Sequence, residues 1–335
     1  MPLVTTKEML QAALKGRFAV GAFNANNMEM VQAIVEAATE ERAPVILQVS
    51  QGAIRYAGMP FAAGLVKIAA ANTDIPVALH LDHGTDFDQN VLCLREGFTS
   101  LMFDGSSLPL DENIRISKTV CEIAHICGIP VETELGKVLK RGATPEEVQD
   151  AMAKPEDARR FIVETGADSL AVAIGSIHAL LSRTSGLDIE RLEEIHQAIP
   201  EIPLVLHGSS GVKEDSVVES LDHGIAKVNV ATYLSQAFTF AMFDHLKANP
   251  NVEDPRAHLV PAREAAKERV REKIRLFRSN GTVTSGALQL LADGSVTYPQ
   301  IATEFDLWDA PQVFADLAEN PGKVHKGVLV RKSAE

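Results

Sequence analysis

Residues 77–84 read Val-Ala-Leu-His-Leu-Asp-His-Gly, and this stretch carries both the fold signal and the first chemical signal of the chain. Its alternating apolar residues predict a buried strand that ends in a carboxylate, an imidazole and a glycine. Burial of a carboxylate beside an imidazole is costly unless each group has a partner or a task. We therefore interpret Asp82 and His83 as half of a metal site whose other half lies elsewhere in the chain.

An apolar strand with a polar carboxyl end recurs along the chain, and each such strand is followed by a helical pattern. The predicted strands cover residues 18–24, 44–50, 76–82, 99–104, 130–135, 168–174, 202–207 and 225–230. Regular alternation of strand and helix calls for parallel strands joined by right-handed crossovers. Eight such units within about 250 residues predict an α/β fold of the closed (β/α)8 TIM-barrel type. A doubly wound open sheet is the alternative, but no Gly-x-Gly-x-x-Gly follows the first strand.

The composition limits the partners of the protein. The 335 residues carry a formal net charge of −13, which argues against nucleic acid as a ligand. The three cysteines lack the spacing of a metal site, the N-terminus lacks a signal sequence, and no apolar run is long enough to span a bilayer. We therefore expect a cytoplasmic protein with reduced thiols that acts on a small molecule and binds neither nucleic acid nor a membrane.

Polar side chains collect at the carboxyl ends of the predicted strands, which meet at one mouth of a TIM barrel. In chain order these residues are Asn24, Ser50, Asp82 with His83, Asp104, Glu134, His178, His207 and Asn229. Three of them, His83, His178 and His207, match the three-imidazole pattern of a catalytic zinc with one open position. The alternative, a histidine satisfied within the core, would have to hold at three equivalent strand ends.

Two carboxylates and one further histidine have two interpretations each. Asp104 and Glu134 are either oxygen ligands of a second metal or acceptors that orient the zinc-bound histidines. Strand alternation places His80 on the same face as Asp82, where it is a candidate support for the site or an ordinary core histidine. The sequence leaves these alternatives open.

Two loops have the composition of a phosphate cradle. Residues 207–211, His-Gly-Ser-Ser-Gly, follow the seventh strand, and residues 229–232, Asn-Val-Ala-Thr, follow the eighth. Glycine and hydroxyl residues there expose backbone N–H groups near a helix start, which favours an anion. An ordinary glycine-rich turn explains either loop alone, but phosphate sites after strands seven and eight are common in such barrels.

With these residues in place, the chain resembles the class II, zinc-dependent fructose- and tagatose-bisphosphate aldolases. The resemblance rests on motifs in chain order that span about residues 1–279. They include Gly21-Ala-Phe-Asn-Ala-Asn-Asn-Met-Glu, Gln48-Val-Ser-Gln-Gly, His80-Leu-Asp-His-Gly, Gly97-Phe-Thr-Ser-Leu-Met-Phe-Asp, Glu132-Thr-Glu-Leu-Gly, Ala171-Val-Ala-Ile-Gly-Ser-Ile-His, Leu204-Val-Leu-His-Gly and Ala226-Lys-Val-Asn-Val-Ala-Thr.

The resemblance implies a carbon–carbon lyase that interconverts a ketose phosphate, ketose bisphosphate or related anionic ketose with dihydroxyacetone phosphate and an aldehyde. It implies that His83, His178 and His207 bind the zinc and that Asp82 is the acid/base on the hydroxyl formed or cleaved. Asp104 and Glu134 match positions where some members hold a second metal, which leaves room for a second metal or a monovalent cation. The implied substrate contacts are Asn24, Ser50, Gly208, Ser209, Ser210, Asn229, Val230, Ala231 and Thr232. The family is dimeric or larger, so a homodimer or homotetramer is expected.

The chain departs from the family pattern around the phosphate and the proton acceptor. Ala179 and Ser209 stand where glycine is usual, and the loop at 136–147 lacks the usual stretch with a proton-abstracting glutamate. Glu146 and Glu147 are shifted candidates for that base, but Thr-Pro-Glu-Glu is better interpreted as a helix start. These changes suggest the hypothesis that the substrate is not an ordinary sugar bisphosphate.

The predicted domains are an aldolase-like barrel over residues 1–278 and an α+β extension over 279–335. The extension contains two amphipathic helical patterns and a strand at 324–330, and we expect it to serve packing or oligomerisation. Two other functions remain open at this point. One is a metal-dependent hydrolase in the same barrel, although its usual His-x-His on the first strand is missing. The other is a catalytically inactive, aldolase-like assembly or regulatory protein.

Overall fold

The computed structural model of the chain describes residues 3–178 and 186–283, together with the backbone of two short strands at 303–306 and 327–330. Its helices are α1 (Thr6–Gly16), α2 (Met28–Glu40), α3 (Gln51–Ala57), α4 (Met59–Ala71), α5 (Phe87–Glu96), α6 (Leu110–Ile126), α7 (Pro145–Asp150), α8 (Pro155–Thr165), α9 (Ile189–Ala198), α10 (Glu214–Ser220), α11 (Thr232–Ala248) and α12 (Pro255–Leu276).

Eight strands form one sheet, and two shorter strands form a separate ladder. In chain order they are β1 (Val20–Asn24), β2 (Val45–Ser50), β3 (Val77–Asp82), β4 (Leu101–Phe103), β5 (Val131–Leu135), β6 (Leu139–Lys140), β7 (Ser169–Val172), β8 (Ile177–His178), β9 (Leu204–Leu206) and β10 (Ile225–Val230). The eight-stranded sheet has the order β3-β2-β1-β10-β9-β7-β5-β4, and every pair in it is parallel.

Backbone hydrogen bonds join the two ends of this sheet and close it into a barrel. The N–H of Leu81 donates to the carbonyl of Ser100 (3.1 Å), and the N–H of Asp104 donates to the carbonyl of Gly84 (3.0 Å). These bonds connect β3 with β4, the first and last strands of the sheet order. The predicted TIM barrel is therefore confirmed.

The sixth predicted strand, residues 168–174, does not run on to His178, which lies on a separate short strand. Only Ser169–Val172 pairs within the barrel sheet as β7. The chain then turns at Gly175, whose φ of +99° suits a residue without a Cβ. After this turn Ile177 and His178 pair in parallel with Leu139 and Lys140, so β8 lies outside the barrel sheet. The position of the His178 ring is therefore set by the pairing of β8 with β6 and not by the barrel strand β7.

The first helix closes the amino-terminal end of the barrel. Its apolar face, with Met9, Leu10 and Ala13, packs against small and branched side chains of the barrel interior. These partners include Val20, Ala22, Ile46, Ala78 and Ala226, all completely buried. The small alanine side chains on three strands leave the space that α1 fills. The active site of such a barrel lies at the opposite, carboxyl end of the strands.

The C-terminal extension is described only in part. Strands Thr303–Asp306 and Gly327–Val330 pair in parallel, and the second covers part of the strand predicted at 324–330. The predicted helices at 286–294 and 310–317 lie outside the described residues, and the division at 278/279 stays a prediction. None of the described helices has the length and apolar composition needed to cross a membrane.

Candidate active site

Three histidines from separate strands meet at the carboxyl end of the barrel. His83 directly follows β3 with a φ of +49°, His178 ends β8, and His207 directly follows β9. One ring nitrogen of each lies within 4.8 Å of those of the other two. The ring centroids are 4.7 Å apart for His83 and His207 and 5.3 Å apart for His83 and His178. The fold thus brings together the three histidines that the sequence analysis selected.

The two carboxylates selected from the sequence also lie at this cluster. His83, Asp104 and Glu134 form a second group whose ligand atoms are within 4.8 Å of one another. His83 Nδ1 lies 2.8 Å from Asp104 Oδ2 and 3.9 Å from Glu134 Oε2. The short contact with Asp104 supports its orienting role, because it engages Nδ1 and leaves Nε2 of His83 available. The position of Glu134 is compatible with both roles, as a ligand of a second metal and as an acceptor that orients a histidine.

Two buried atoms of the cluster have no hydrogen-bond partner among the described residues. They are Nδ1 of His207 and Oε2 of Glu134, which lie 3.3 Å apart without hydrogen-bond geometry. An unsatisfied buried polar group costs about 1–3 kcal/mol, so two side by side indicate a binding site. Imidazole nitrogens and carboxylate oxygens are the ligands of zinc and similar ions. The donor set therefore fits a divalent metal.

Neighbouring charges separate the pKa values of the cluster histidines. Burial alone would lower the pKa of His83, but the carboxylates of Asp82, Asp104 and Glu134 outweigh it and raise that pKa to about 10. Burial lowers the pKa of His178 to about 3, and the charges on His207 and His83 act in the same direction. The group therefore contains both a readily protonated and a neutral imidazole before any metal binds.

The raised pKa of His83 predicts that metal binding releases protons. In the metal-free protein His83 is protonated below about pH 10, whereas an imidazole ligand must be neutral. At pH 7.5 we expect release of about one proton or more per zinc ion, and an apparent affinity that rises about tenfold per pH unit between pH 6 and 9. Calorimetric titrations with zinc in buffers of different ionisation enthalpy measure this number. Binding without proton release would contradict the prediction.

Asp82 is buried and held by two amide side chains. Asn24 Nδ2 donates to Oδ2 of Asp82, and Asn229 Nδ2 donates to Oδ1, both at 3.2 Å. Burial would raise the pKa of Asp82, but the positive charges on His83, His207 and Lys227 outweigh it and lower the pKa. Asp82 is therefore an ionised carboxylate with fixed orientation, as a general base requires.

Gln48 joins this network and was not selected from the sequence. Its Nε2 donates to Oδ1 of Asn24 at 2.6 Å, and its own Oε1 is buried without a hydrogen-bond partner among the described residues. A polar residue in the otherwise apolar run Val45-Ile-Leu-Gln-Val of β2 was the available signal. Only the barrel geometry shows that this side chain faces the site.

His83 and His178 of the cluster line a cavity of about 130 Å³. Besides Asp82, His83 and His178, its walls contain most of the predicted substrate contacts, namely Asn24, Gly208, Ser209, Ser210, Asn229, Ala231 and Thr232. Val230 lines a smaller adjoining cavity with Ser209 and Lys273. Ser50 is the strand partner of Asp82 but is not among the residues that line this cavity, and its Oγ accepts from the N–H of Ala53 at 3.2 Å and caps α3. Its substrate contact stays a prediction.

Substitution of Gly208 by alanine should lower the stability of the protein, and Gly166 provides a matched control for backbone strain. The φ of Gly208 is +65°, and a Cβ there would come within 3.1 Å of Val138 Cγ1 and of the backbone of Ile177. Gly166 has a similar φ of +70° with nothing within 4 Å of such a Cβ. We expect Gly166→Ala to lower the free energy of unfolding by about 1–2 kcal/mol through backbone strain alone, and Gly208→Ala to lower it further.

Thermal unfolding of both alanine variants measures this difference. The Gly208 substitution should also weaken binding of the dihydroxyacetone phosphate that the family resemblance implies, because it displaces the loop that carries Ser209. The Gly166 substitution should leave that binding unchanged. Equal stability losses and equal substrate affinities in the two variants would show that the loop tolerates a side chain.

The loop after β5 does not offer a free glutamate at Glu147. Thr144 Oγ1 accepts from the N–H of Glu147, and Oε2 of Glu147 accepts from the N–H of Thr144, which is a complete capping box for α7. The prediction that Thr-Pro-Glu-Glu starts a helix is confirmed. Ala179, the other departure in this region, lies outside the described residues.

Comparison with known proteins agrees with this geometry. A family model described as fructose-bisphosphate aldolase class-II matches residues 4–282. The fructose-bisphosphate aldolase of Geobacillus stearothermophilus is 42% identical over 286 residues, which cover 84% of this chain and 99% of that protein. The aldolase of Thermus caldophilus is 40% identical over 304 residues. The crystal structure of the YdjI aldolase from Escherichia coli K12 superposes with a TM-score of 0.75 at 32% identity and covers 84% and 99% of the two chains.

The fold is a closed parallel barrel, and imidazoles and carboxylates without complete hydrogen bonding meet at its carboxyl end. These features define a metal-dependent barrel enzyme. The matches extend over most of the chain and identify one family within this class of enzyme. The chain belongs to the class II fructose-bisphosphate aldolase family. Members of this family are carbon–carbon lyases that use a divalent metal and act on sugar phosphates.

Proposed function

We propose that this chain is a zinc-dependent aldolase that cleaves a ketose phosphate, ketose bisphosphate or related anionic ketose to dihydroxyacetone phosphate and an aldehyde. The observation that carries the proposal is the position of ionised Asp82 beside the three-histidine cluster. Asp82 Oδ1 lies 4.0 Å from Nε2 of His83. A substrate oxygen held at the cluster is therefore within reach of this carboxylate.

Asp82 moves the proton that the bond cleavage requires. The hydroxyl on C4 gives its proton to the carboxylate, the C3–C4 bond breaks, and the C4 carbon leaves as an aldehyde. The electron pair of the broken bond stays on C3 of the dihydroxyacetone phosphate half, which then takes up one proton from solvent, while Asp82 releases the hydroxyl proton to solvent. In the condensation direction Asp82 returns the proton to the newly formed hydroxyl. Asn24 and Asn229 keep the carboxylate in place during both directions.

The three histidines would hold the metal, and Asp104 would fix the ring of His83 through its 2.8 Å contact. When bound, the metal supplies a Lewis acid that polarises the ketose carbonyl and accepts the charge left by cleavage. Zinc is the proposed ion because three imidazoles with one open position are its usual catalytic site. We propose Asp104 and Glu134 as the oxygen ligands that a second metal or a monovalent cation would use in place of this orienting role.

The loops after β9 and β10 would hold the phosphate of the dihydroxyacetone phosphate half. Gly208 is followed by a short helical turn at Ser209–Gly211, and α11 begins at Thr232 beside the cavity. The N–H groups of a helix start attract an anion. The Oγ of Ser209 donates to the carbonyl of Asn229 at 2.5 Å, which fixes the two loops against each other.

We also propose that the protein is a cytoplasmic homodimer or homotetramer. All three cysteines, Cys93, Cys121 and Cys127, are free thiols, as a reducing compartment favours. The proposed role of residues 279–335 is packing or assembly. Light scattering of the full chain, compared with the chain shortened after residue 283, tests the assembly role.

Hydrogen–deuterium exchange at the α-carbon of dihydroxyacetone phosphate, measured on zinc-loaded protein, tests the proposed function. Exchange together with cleavage of a ketose phosphate supports the aldolase. Efficient turnover of fructose- or tagatose-1,6-bisphosphate would remove the hypothesis of an unusual substrate. Hydrolysis without exchange would support the metal-dependent hydrolase instead. Zinc binding with neither activity would support a non-catalytic assembly protein.

A further inference from the structure

A buried ion pair lies directly beneath the metal ligand His207. Glu132 Oε1 lies 2.9 Å from Nε2 of His207, and Lys227 Nζ donates to the other oxygen, Oε2, at 2.7 Å. His207 and Lys227 are completely buried and Glu132 is 2% exposed. The proposed reaction assigns no task to Glu132 or Lys227, although a buried ion pair is costly to desolvate.

Strand periodicity explains why this pair lies one layer below the site. Successive side chains alternate between the two faces of a strand, so residues two apart point the same way. Glu132 therefore shares its face of β5 with Glu134, and Lys227 shares its face of β10 with Asn229. His80 stands in the same relation to Asp82 on β3. The barrel interior thus has a mouth layer of substrate-facing groups and a charged layer beneath it.

The charged layer continues from Lys227 toward the amino-terminal end of the barrel. Lys227 Nζ lies 3.4 Å from Nε2 of His80, whose Nδ1 lies 2.8 Å from Oγ of Ser100. Thr6, at the start of α1, donates to the same hydroxyl at 2.8 Å. Every polar atom of Glu132 and Lys227 used here has a fixed partner, so neither side chain is free to turn.

The hydrogen bond to Glu132 decides which nitrogen of His207 faces the metal. The carboxylate already accepts from the ammonium of Lys227 and has only lone pairs to offer His207. When the ring of His207 is neutral, which is the form in which an imidazole binds a metal, Nε2 therefore carries the proton. The lone pair then resides on Nδ1, which is the nitrogen that is buried without a hydrogen-bond partner among the described residues.

We propose that Glu132, held by Lys227, is a positioning residue that fixes His207 with Nδ1 toward the metal. A carboxylate behind a metal-bound imidazole sets its tautomer and ring orientation and raises its basicity. The inference rests on the proposed metal centre. It also gives Lys227 a task that differs from covalent catalysis, because its amine is completely buried within an ion pair.

Paired substitutions test this role without leaving a buried charge alone. Removing only Glu132 or only Lys227 would leave the charge of the other residue buried without a counter-ion, which strongly destabilises a fold. The double variant Glu132→Leu with Lys227→Met removes the acceptor from Nε2 of His207 and both charges together. The double variant Glu132→Gln with Lys227→Met is also neutral but keeps an amide oxygen that can accept from Nε2. Glu193→Leu is the matched control, because Glu193 contacts Nδ1 of His223 at 2.5 Å away from the cluster.

Zinc affinity and the visible spectrum of the cobalt-substituted protein are the readouts, taken where circular dichroism shows each variant folded. We expect the leucine–methionine variant to lose about 10- to 100-fold in zinc affinity and to shift the cobalt bands. The glutamine–methionine variant should recover most of that affinity, and the Glu193 control should match the wild type. Wild-type affinity and spectrum in the leucine–methionine variant would overturn the inference. Failure of the wild type itself to bind zinc would instead overturn the proposed metal centre.

Discussion

Replacement of His207 by alanine should lower the rate of ketose cleavage by about a thousandfold or more. The substitution removes one of three ligands that would hold the metal, and with it the Lewis acid on the ketose carbonyl. A thousandfold loss corresponds to about 4 kcal/mol of transition-state stabilisation, which is within the range of such an electrophile. Metal content should fall in parallel with activity, since the two remaining histidines do not complete the site.

Turnover and zinc content of the purified variant measure this effect, with His125→Ala as the matched control. His125 also contacts a carboxylate, with its Nε2 2.7 Å from Asp168, but Asp168 precedes β7 at the amino-terminal end of the barrel. The control should retain zinc and activity. His207→Gln, which better fills the buried position, separates loss of the ligand from a packing defect. A His207→Ala protein that keeps both zinc and wild-type turnover would place the metal centre elsewhere.

Replacement of Asp82 by asparagine should separate the two halves of the reaction. Cleavage should fall by about 10²- to 10⁴-fold, because the variant lacks the base for the C4 hydroxyl. Exchange at the α-carbon of dihydroxyacetone phosphate should persist, since that step does not involve the C4 hydroxyl. Asparagine has nearly the same size, so Asn24 and Asn229 keep a neighbour of similar shape.

The comparison of cleavage with exchange in the same Asp82 variant provides the measurement. Asp74→Asn serves as the control, because Asp74 forms a surface ion pair with Arg42 and lies outside the cavity. Zinc content should remain at the wild-type level in both variants. If exchange and cleavage fell by the same factor in Asp82→Asn, Asp82 would act on binding or on both steps rather than on the C4 hydroxyl alone.

The barrel could be predicted because its signals are local. Each strand is a short apolar run, and each carboxyl end is marked by a polar residue or a glycine, so the observed strands begin and end within about two residues of most predicted ones. The path from β7 to His178 was not predicted. There the chain turns at Gly175 and forms a second ladder with the loop after β5, and no periodicity within the segment encodes that pairing.

The candidate site was predictable where residue type alone is informative. Histidines and carboxylates at strand ends are unusual enough to select, and the structure gathers His83, His178, His207, Asp104 and Glu134 at one mouth. Ser50 was also selected, and the structure adds that its hydroxyl caps α3 beside Asp82. A serine at a strand end looks the same in sequence whether it faces a cavity or begins a helix, so only the backbone geometry separates the two.

The sequence by itself determined the βα repeat, the class of chemistry and the residues that carry it, because strand periodicity and side-chain identity are properties of the chain. Tertiary structure alone decided which ring nitrogen of His83 and of His207 is available, that Gln48 belongs to the site, and that Glu132 and Lys227 pair beneath it. These features depend on distances between residues up to 95 positions apart in the chain. Such distances are fixed only when the barrel closes and strands remote in sequence become neighbours.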